Sequence, residues 1–324
     1  MRVGFGSLSC HCKKSCGIIA ITLVLVIPTL VNGQAPPPSS ADKGGSPAPA
    51  AQTKTPPPRK QPQAKTQVEY DAYQKIEAAA DPKLKMDLVD KFVTDFPDSE
   101  LRGAAYQQGL RGAQMTNDYE KALDYSRKTL QLYADDVLSL LVLSSWIPER
   151  VTENDPQREA KLTEATVAAK KLLEVVPTLQ KPAGQTDEQW NTQLKELNGR
   201  SHASLGFIEL LKKDYPGAEE EFEKAISQMP AEPTFCYRLG LAYTYEKKYD
   251  AAAWNLARSV ALKGVSEKPA KDALESLFKA YGEDPAKAGE EDLVKLAGSQ
   301  EKMPDDFSFV KFMESKLNPK PPSP

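Results

Sequence analysis

Histidine and cysteine are scarce in this chain: 324 residues hold two histidines and four cysteines. Cys10, His11, Cys12 and Cys16 crowd one end, which leaves His202 and Cys236 for everything after residue 16. A single cysteine cannot close an intramolecular disulfide, so packing alone must hold the fold. His202 stands at a packing position of a helical pattern and reads as a core or helix-interface residue. The chain has no His-Glu-x-x-His, no phosphate-cradling Gly-x-x-x-x-Gly-Lys and no Gly-x-Ser-x-Gly, the motifs of zinc, nucleotide and acyl-transfer chemistry. Its acidic clusters, Asp135-Asp136, Glu219-Glu220-Glu221 and Asp305-Asp306, are neighbours in sequence and fall on solvated helix faces or helix ends. Carboxylates become catalytic where their environments push their pKa values apart, and nothing in these runs points to that. Neither an enzyme nor a bound cofactor or metal is expected. Nucleic acid is disfavoured as well, because residues 67–324 carry 34 basic and 44 acidic side chains where phosphate would require a basic face.

The chain begins with a basic stretch, Arg2, Lys13 and Lys14 without an acid, followed by 15 apolar residues from Gly17 to Val31. That layout predicts a secretory signal peptide over 1–33, cut before Gln34 with Val31 and Gly33 at the −3 and −1 positions. The alternative is an uncleaved membrane anchor, but the run contains Pro28 and is short against the ~20 residues a spanning helix needs. The Cys-x-Cys-x-x-x-Cys cluster around His11 has soft ligands at close spacing, yet it belongs to the segment expected to be removed. Export to a periplasm or cell envelope is the expected localisation.

Residues 34–66 are rich in proline, alanine and lysine, with no aromatic or β-branched hydrophobe and a net charge of +4. Such a segment cannot bury enough surface to offset chain entropy, so a disordered, extended linker is expected. At ~3.1 Å per residue it would reach roughly 100 Å. A second role open to it is contact with an anionic envelope polymer or lipid surface.

From Gln67 onward the apolar period becomes 3.6 residues, and no alternating strand pattern is convincing. An all-α domain is expected over 67–266. Gly206 and Gly240 stand 34 residues apart, as do Leu205 and Leu239, Tyr215 and Tyr249, and Ala218 and Ala252. A fixed period of that length marks a copied supersecondary unit. Units 199–232 and 233–266 are firm. Their small residues let paired helices approach, larger ones fill the space between, and Pro230 and Gly264 end the second helices.

On these residues the chain resembles the tetratricopeptide repeat (TPR) family. His202 and Cys236 replace the large aromatic often found early in the first helix. The resemblance implies a right-handed superhelical solenoid of helix-turn-helix hairpins. Degenerate units are expected at 67–99, 103–136 and 137–177, the last with a first helix ending near Pro148. A further helix is expected to begin near Asp187. Residues 267–318 should form capping helices around 269–281, around 289–297 and after Asp305, and 319–324 a disordered tail. The stretch from Thr66 through Leu88–Ser99 to Gly109 also resembles TPR-type lipoproteins of bacterial envelope assembly, over about 40 residues and without their lipidated cysteine.

The resemblance further implies that first helices line a groove for a partner. In one unit Arg200, Ala203, Phe207, Leu210 and Leu211 would face it. In the next, Thr234, Tyr237, Leu241, Thr244 and Tyr245 would do so. Aromatic groups at rigid positions suit peptide anchoring, and the alternative is that Phe207, Tyr237 and Tyr245 pack against neighbouring turns or helices. The Lys/Asn set that clamps a C-terminal carboxylate in some TPR proteins is not reproduced, since Ala203 and Phe207 occupy its places. The expected function is an exported scaffold or adaptor that binds a segment of another envelope protein. Self-association of acidic arrays and polymer binding through the basic linker are the alternatives.

Overall fold

The computed structural model describes residues 62–318. The signal segment 1–33 with its cysteine cluster, the linker through 61 and the tail 319–324 lie outside the described residues. The described residues form thirteen α-helices and no strand. In order they are α1 (Gln67–Ala78), α2 (Pro82–Asp95), α3 (Arg102–Thr116), α4 (Tyr119–Leu132), α5 (Val137–Arg150), α6 (Arg158–Val175) and α7 (Asp187–Lys212). They continue as α8 (Tyr215–Gln228), α9 (Pro233–Tyr245), α10 (Tyr249–Leu262), α11 (Glu267–Ala280), α12 (Glu290–Ser299) and α13 (Phe309–Leu317). Consecutive helices pair as hairpins, and α11, α12 and α13 close over α10. The fold is an α-solenoid of helical hairpins.

Local chemistry sets the helix starts. Side chains of Thr66, Asp81, Asp118, Asp136, Thr186, Asp214 and Glu232 each accept a backbone N–H from the first turn that follows. Each satisfies a donor the helix cannot. Thr186 and Gln189 form a full capping box. The turns between paired helices repeat as well. Asn117, Lys213 and Lys247 all take positive φ of 55–67°. The next residue of each turn donates back to the helix, as Asp118 N to Ala113 O (2.8 Å), Asp214 N to Glu209 O (2.9 Å) and Lys248 N to Tyr243 O (2.9 Å). This left-handed closure uses up orphan carbonyls at the helix end. It also sets one register for three hairpins, in which Arg111, Phe207 and Leu241 are equivalent.

Glycine is required where hairpin helices touch. A Cβ on Gly206 would lie 3.0 Å from the Phe222 ring, and one on Gly240 would lie 2.8 Å from Leu256 Cγ. Both partners are fully buried, so neither can swing away.

Two hydrophobic cores result, and α7 belongs to both. Leu197 and Ile208 lie in the first core, among Leu141, Ile147, Leu162 and Leu172, with Leu194 and Leu211 packed on it. Ala203 lies in the second core, with Phe207 and Leu210 against it, together with Phe222, Trp254, Leu274 and Phe309. At 26 residues α7 is the longest helix described. Beneath it α5 is apolar on nearly every side, and Pro148, where the sequence predicts a helix end, is buried while the helix runs on to Arg150.

Buried polar groups pin the two ends. Arg258 donates to Pro230 O and Ala297 O (3.1 Å each) and to Gln300 O, joining the ends of α8 and α12 to α10. Its positive charge suits the carbonyl end of α12. At the other end, buried Glu69 accepts from Ser99 Oγ and from Lys65 N (2.7 Å). Burial pushes its carboxyl up, but these donors hold it below the ordinary value. Residues 62–66, expected as the last of the linker, are therefore seated on the domain. Ala64 packs on the first core, and Lys65 Nζ donates to Asp98 O (2.6 Å).

A β-branched group at Gly240 has no room against Leu256. Gly240→Val is expected to lower unfolding free energy by about 1–3 kcal/mol in urea titration, whereas a change below a few tenths would contradict the close approach.

Candidate functional site

First helices approach one another across the hairpins, α1 with α3, α5 with α7 and α7 with α9, and before the closing helices α11 to α13 no pair of second helices comes as near. First helices therefore line the inside of the stack. All the groove residues expected from the sequence lie on α7 and α9.

Their environments differ. Ala203 and Thr234 are buried and have little to offer a partner. Arg200 is partly buried, and its Nε is enclosed without a hydrogen-bond partner. Leu211 packs on the first core, while Leu210 and Tyr237 pack on the second. The Leu211 carbonyl accepts from Arg158 Nη2. Leu241 is partly exposed, and Thr244 spends its hydroxyl on Gly240 O at 2.8 Å. Tyr245 is 43% exposed and stacks on Tyr215, with centroids 4.7 Å apart and planes at 14°. Phe207, Tyr237, Leu241 and Tyr245 thus form an apolar strip of half-covered side chains on adjacent helices. Part of the packing alternative also holds, since Tyr245 leans on the start of α8.

Two functional candidates escaped the sequence reading. Arg238 places its guanidinium 3.7 Å from the centroid of the Phe207 ring and pairs with Glu149 of α5. One side chain thereby ties α5, α7 and α9 together and roofs the aromatic ring expected to anchor a partner. Arg238 stands one residue off the predicted face, and only the length of an arginine brings it onto it. Glu149 follows Pro148 and was expected to lie beyond the helix.

His202 bridges paired helices, with Nδ1 2.8 Å from Glu221 Oε2, and Lys224 reaches Glu221 at 2.8 Å. Burial pushes the Glu221 carboxyl up, and these two partners bring it below its ordinary value. Cys236 is enclosed, and burial pushes its thiol up to about 11, which keeps it protonated and unreactive. Among the described residues, no group of three His, Cys, Asp or Glu side chains converges to hold a metal.

One carboxylate pair is under tension. Glu246, in the turn after α9, sits against Glu219 of α8, with Lys248 bonded to both. Burial and the neighbouring Glu219 carboxyl raise the pKa of Glu246 above its ordinary 4.5.

No family model and no curated protein matches the chain. Among solved structures, a tetratricopeptide repeat protein from Parabacteroides merdae ATCC 43184 is similar over 72% of this chain and 99% of that one. The identity is 15% and the TM-score 0.33. The hairpin order, the recurrent left-handed turn and the glycine-spaced helix pairs make the described region an α-solenoid of helical hairpins.

Because the Glu246 pKa is raised on folding, the folded state holds its proton more tightly than the unfolded state. Stability is then lost as pH rises from 4.5 through the raised value. Glu246→Gln is expected to raise the thermal midpoint at neutral pH, with the gain vanishing below pH 4.5. A lower midpoint at neutral pH would show that the Lys248 contact outweighs the carboxylate repulsion.

Proposed function

We propose that this protein is an exported, non-enzymatic scaffold that binds a segment of another protein along its inner face, in a bacterial cell envelope. Solenoids of helical hairpins typically mediate protein–protein association, and a signal-type N-terminus followed by a Pro-rich tether supports export. The observation that carries the binding role is the half-covered strip of Phe207, Tyr237, Leu241 and Tyr245 on adjacent first helices. Side chains of this kind, held by rigid helices, lose little entropy when a partner covers them. An extended or helical segment laying apolar anchors along the strip would gain roughly 25 cal/mol for each Å² of apolar surface removed from water.

The test is recovery of the protein with its partners from the envelope fraction of a bacterial host. Terminal sequencing is expected to begin at Gln34. A co-purifying protein is expected to be lost from Tyr237→Ala/Leu241→Ala/Tyr245→Ala while circular dichroism shows the helices unchanged. Retention of every partner by the folded variant would remove the binding role from this strip. A protein found only in the cytoplasm with residues 1–33 intact would remove export.

A further inference from the structure

Residues 62–66 do not point away from the start of α1. They turn along the edge where second helices pass to the next first helices. Lys65 Nζ donates to Asp98 O (2.6 Å), Ala64 packs on the first core, and Gln63 N donates to Glu100 Oε2 (3.2 Å). Followed backward, the chain advances from Asp98 to Glu100, toward α3 and the next loop of the same edge. That loop joins α4 to α5. Its Tyr133 ring covers Gly103 so closely that a Cβ there would overlap it, and Gln107 of α3 donates to its Asp136.

Both loops are acidic. Residues 96–101 hold Asp98 and Glu100, residues 133–136 hold Asp135 and Asp136, and neither holds a base. At the adjoining helix ends Lys91 is paired with Asp95 and Lys128 with Asp124, which leaves Arg102 alone against those four carboxylates. The donors on Glu100 and Asp136 are neutral: the Gln63 N–H, the Gln107 amide, and the Ser139 N–H and hydroxyl. Beside Tyr133, Leu132 keeps 42% of its surface exposed.

We propose that residues 56–61, Pro-Pro-Pro-Arg-Lys-Gln, continue this path as a strap, with Arg59 and Lys60 over the Asp135-Asp136 loop and the prolines on Leu132 and Tyr133. Packed helices stand about 8–10 Å apart, and an extended Pro-rich chain advances ~3.1 Å per residue. Three to four residues upstream of Gln63 therefore reach the next loop. Those positions are Lys60 and Arg59, the one adjacent pair of bases in residues 34–66. Single exposed ion pairs are weak. Here several carboxylates act on two bases, the prolines add apolar contact, and a chain already extended loses little entropy on docking. The attraction stops there. The next loop of this edge, 176–186, brings Lys181 paired with Asp187, and residues 34–53 carry one acid and one base. The strap gives the N-terminal end a closure that α11 to α13 supply at the other end. Solenoid ends need such covering, and α1 is joined to the stack less closely than other first helices are.

The test is zero-length carbodiimide cross-linking of the whole protein, mixed equally with its ¹⁵N-labelled copy and mapped by mass spectrometry. Lys60 is expected to link to Asp135 or Asp136 within one chain, and Lys43 to neither. Trypsin gives a second reading on the same protein. Cuts after Arg59 and Lys60 are expected to be about tenfold slower than after Lys43 at about 50 mM salt. They should match the Lys43 rate at 1 M, where the screening length is about 3 Å. Asp98→Asn/Asp135→Asn is expected to speed the same two cuts at low salt, with the Lys43 rate and circular dichroism unchanged. Lys60 linked only elsewhere or not at all, or cuts as fast as at Lys43 in low salt, would overturn the strap. Links that join labelled to unlabelled chains would assign the contact to a second copy and overturn a strap within one chain.

Discussion

The structure depends on one helix being shared by two cores. Helix α7 gives Leu197 and Ile208 to the first core and Ala203, with Phe207 and Leu210, to the second. Solenoid repeats ordinarily contact only their neighbours, and their stability is close to a sum of local terms. A helix of 26 residues that lies over α5 and pairs with α8 keeps to neighbouring hairpins, but it places side chains in both cores. It makes the two halves answer to the same side chains. The same helix carries Phe207 to the inner face, so the candidate binding strip is stiffened by both cores at once.

Most of the architecture was legible in the sequence because it rests on local chemistry. The 34-residue spacing of Gly206 and Gly240 reports close helix approach, and the structure puts Phe222 and Leu256 against them. Thr66, Asp81, Asp118, Thr186 and Asp214 cap the helices they precede, and side chains of this kind are a local signal too. Less was legible where tertiary context overrides local preference. Pro148 sits within α5 because the core packs against it on every side. Residues 62–66 are held by Glu69 and Ser99 although their composition matches the tether.

The candidate site divides along the same line. Register alone placed Tyr237, Leu241 and Tyr245 on one face, because that face follows from helical period. Register could not show that Ala203 and Thr234 are covered, since their burial is set by helices far away in the chain. Nor could it join Arg238 to Glu149, which are 89 residues apart. That contact is made by one long side chain crossing a neighbouring helix. Ion pairs of this kind depend on curvature and on which first helices lie side by side, and neither leaves a mark in a single sequence.

The sharing of α7 is tested most directly by native-state hydrogen exchange on Ile208→Ala. Ile208 is fully buried in the first core, and its truncation should cost about 2–5 kcal/mol. The account predicts that protection of α9 and α10 amides, in the second core, falls by the same amount as that of α5 and α6. A loss confined to α5 and α6, with α9 and α10 unchanged, would contradict it and make the two cores independent.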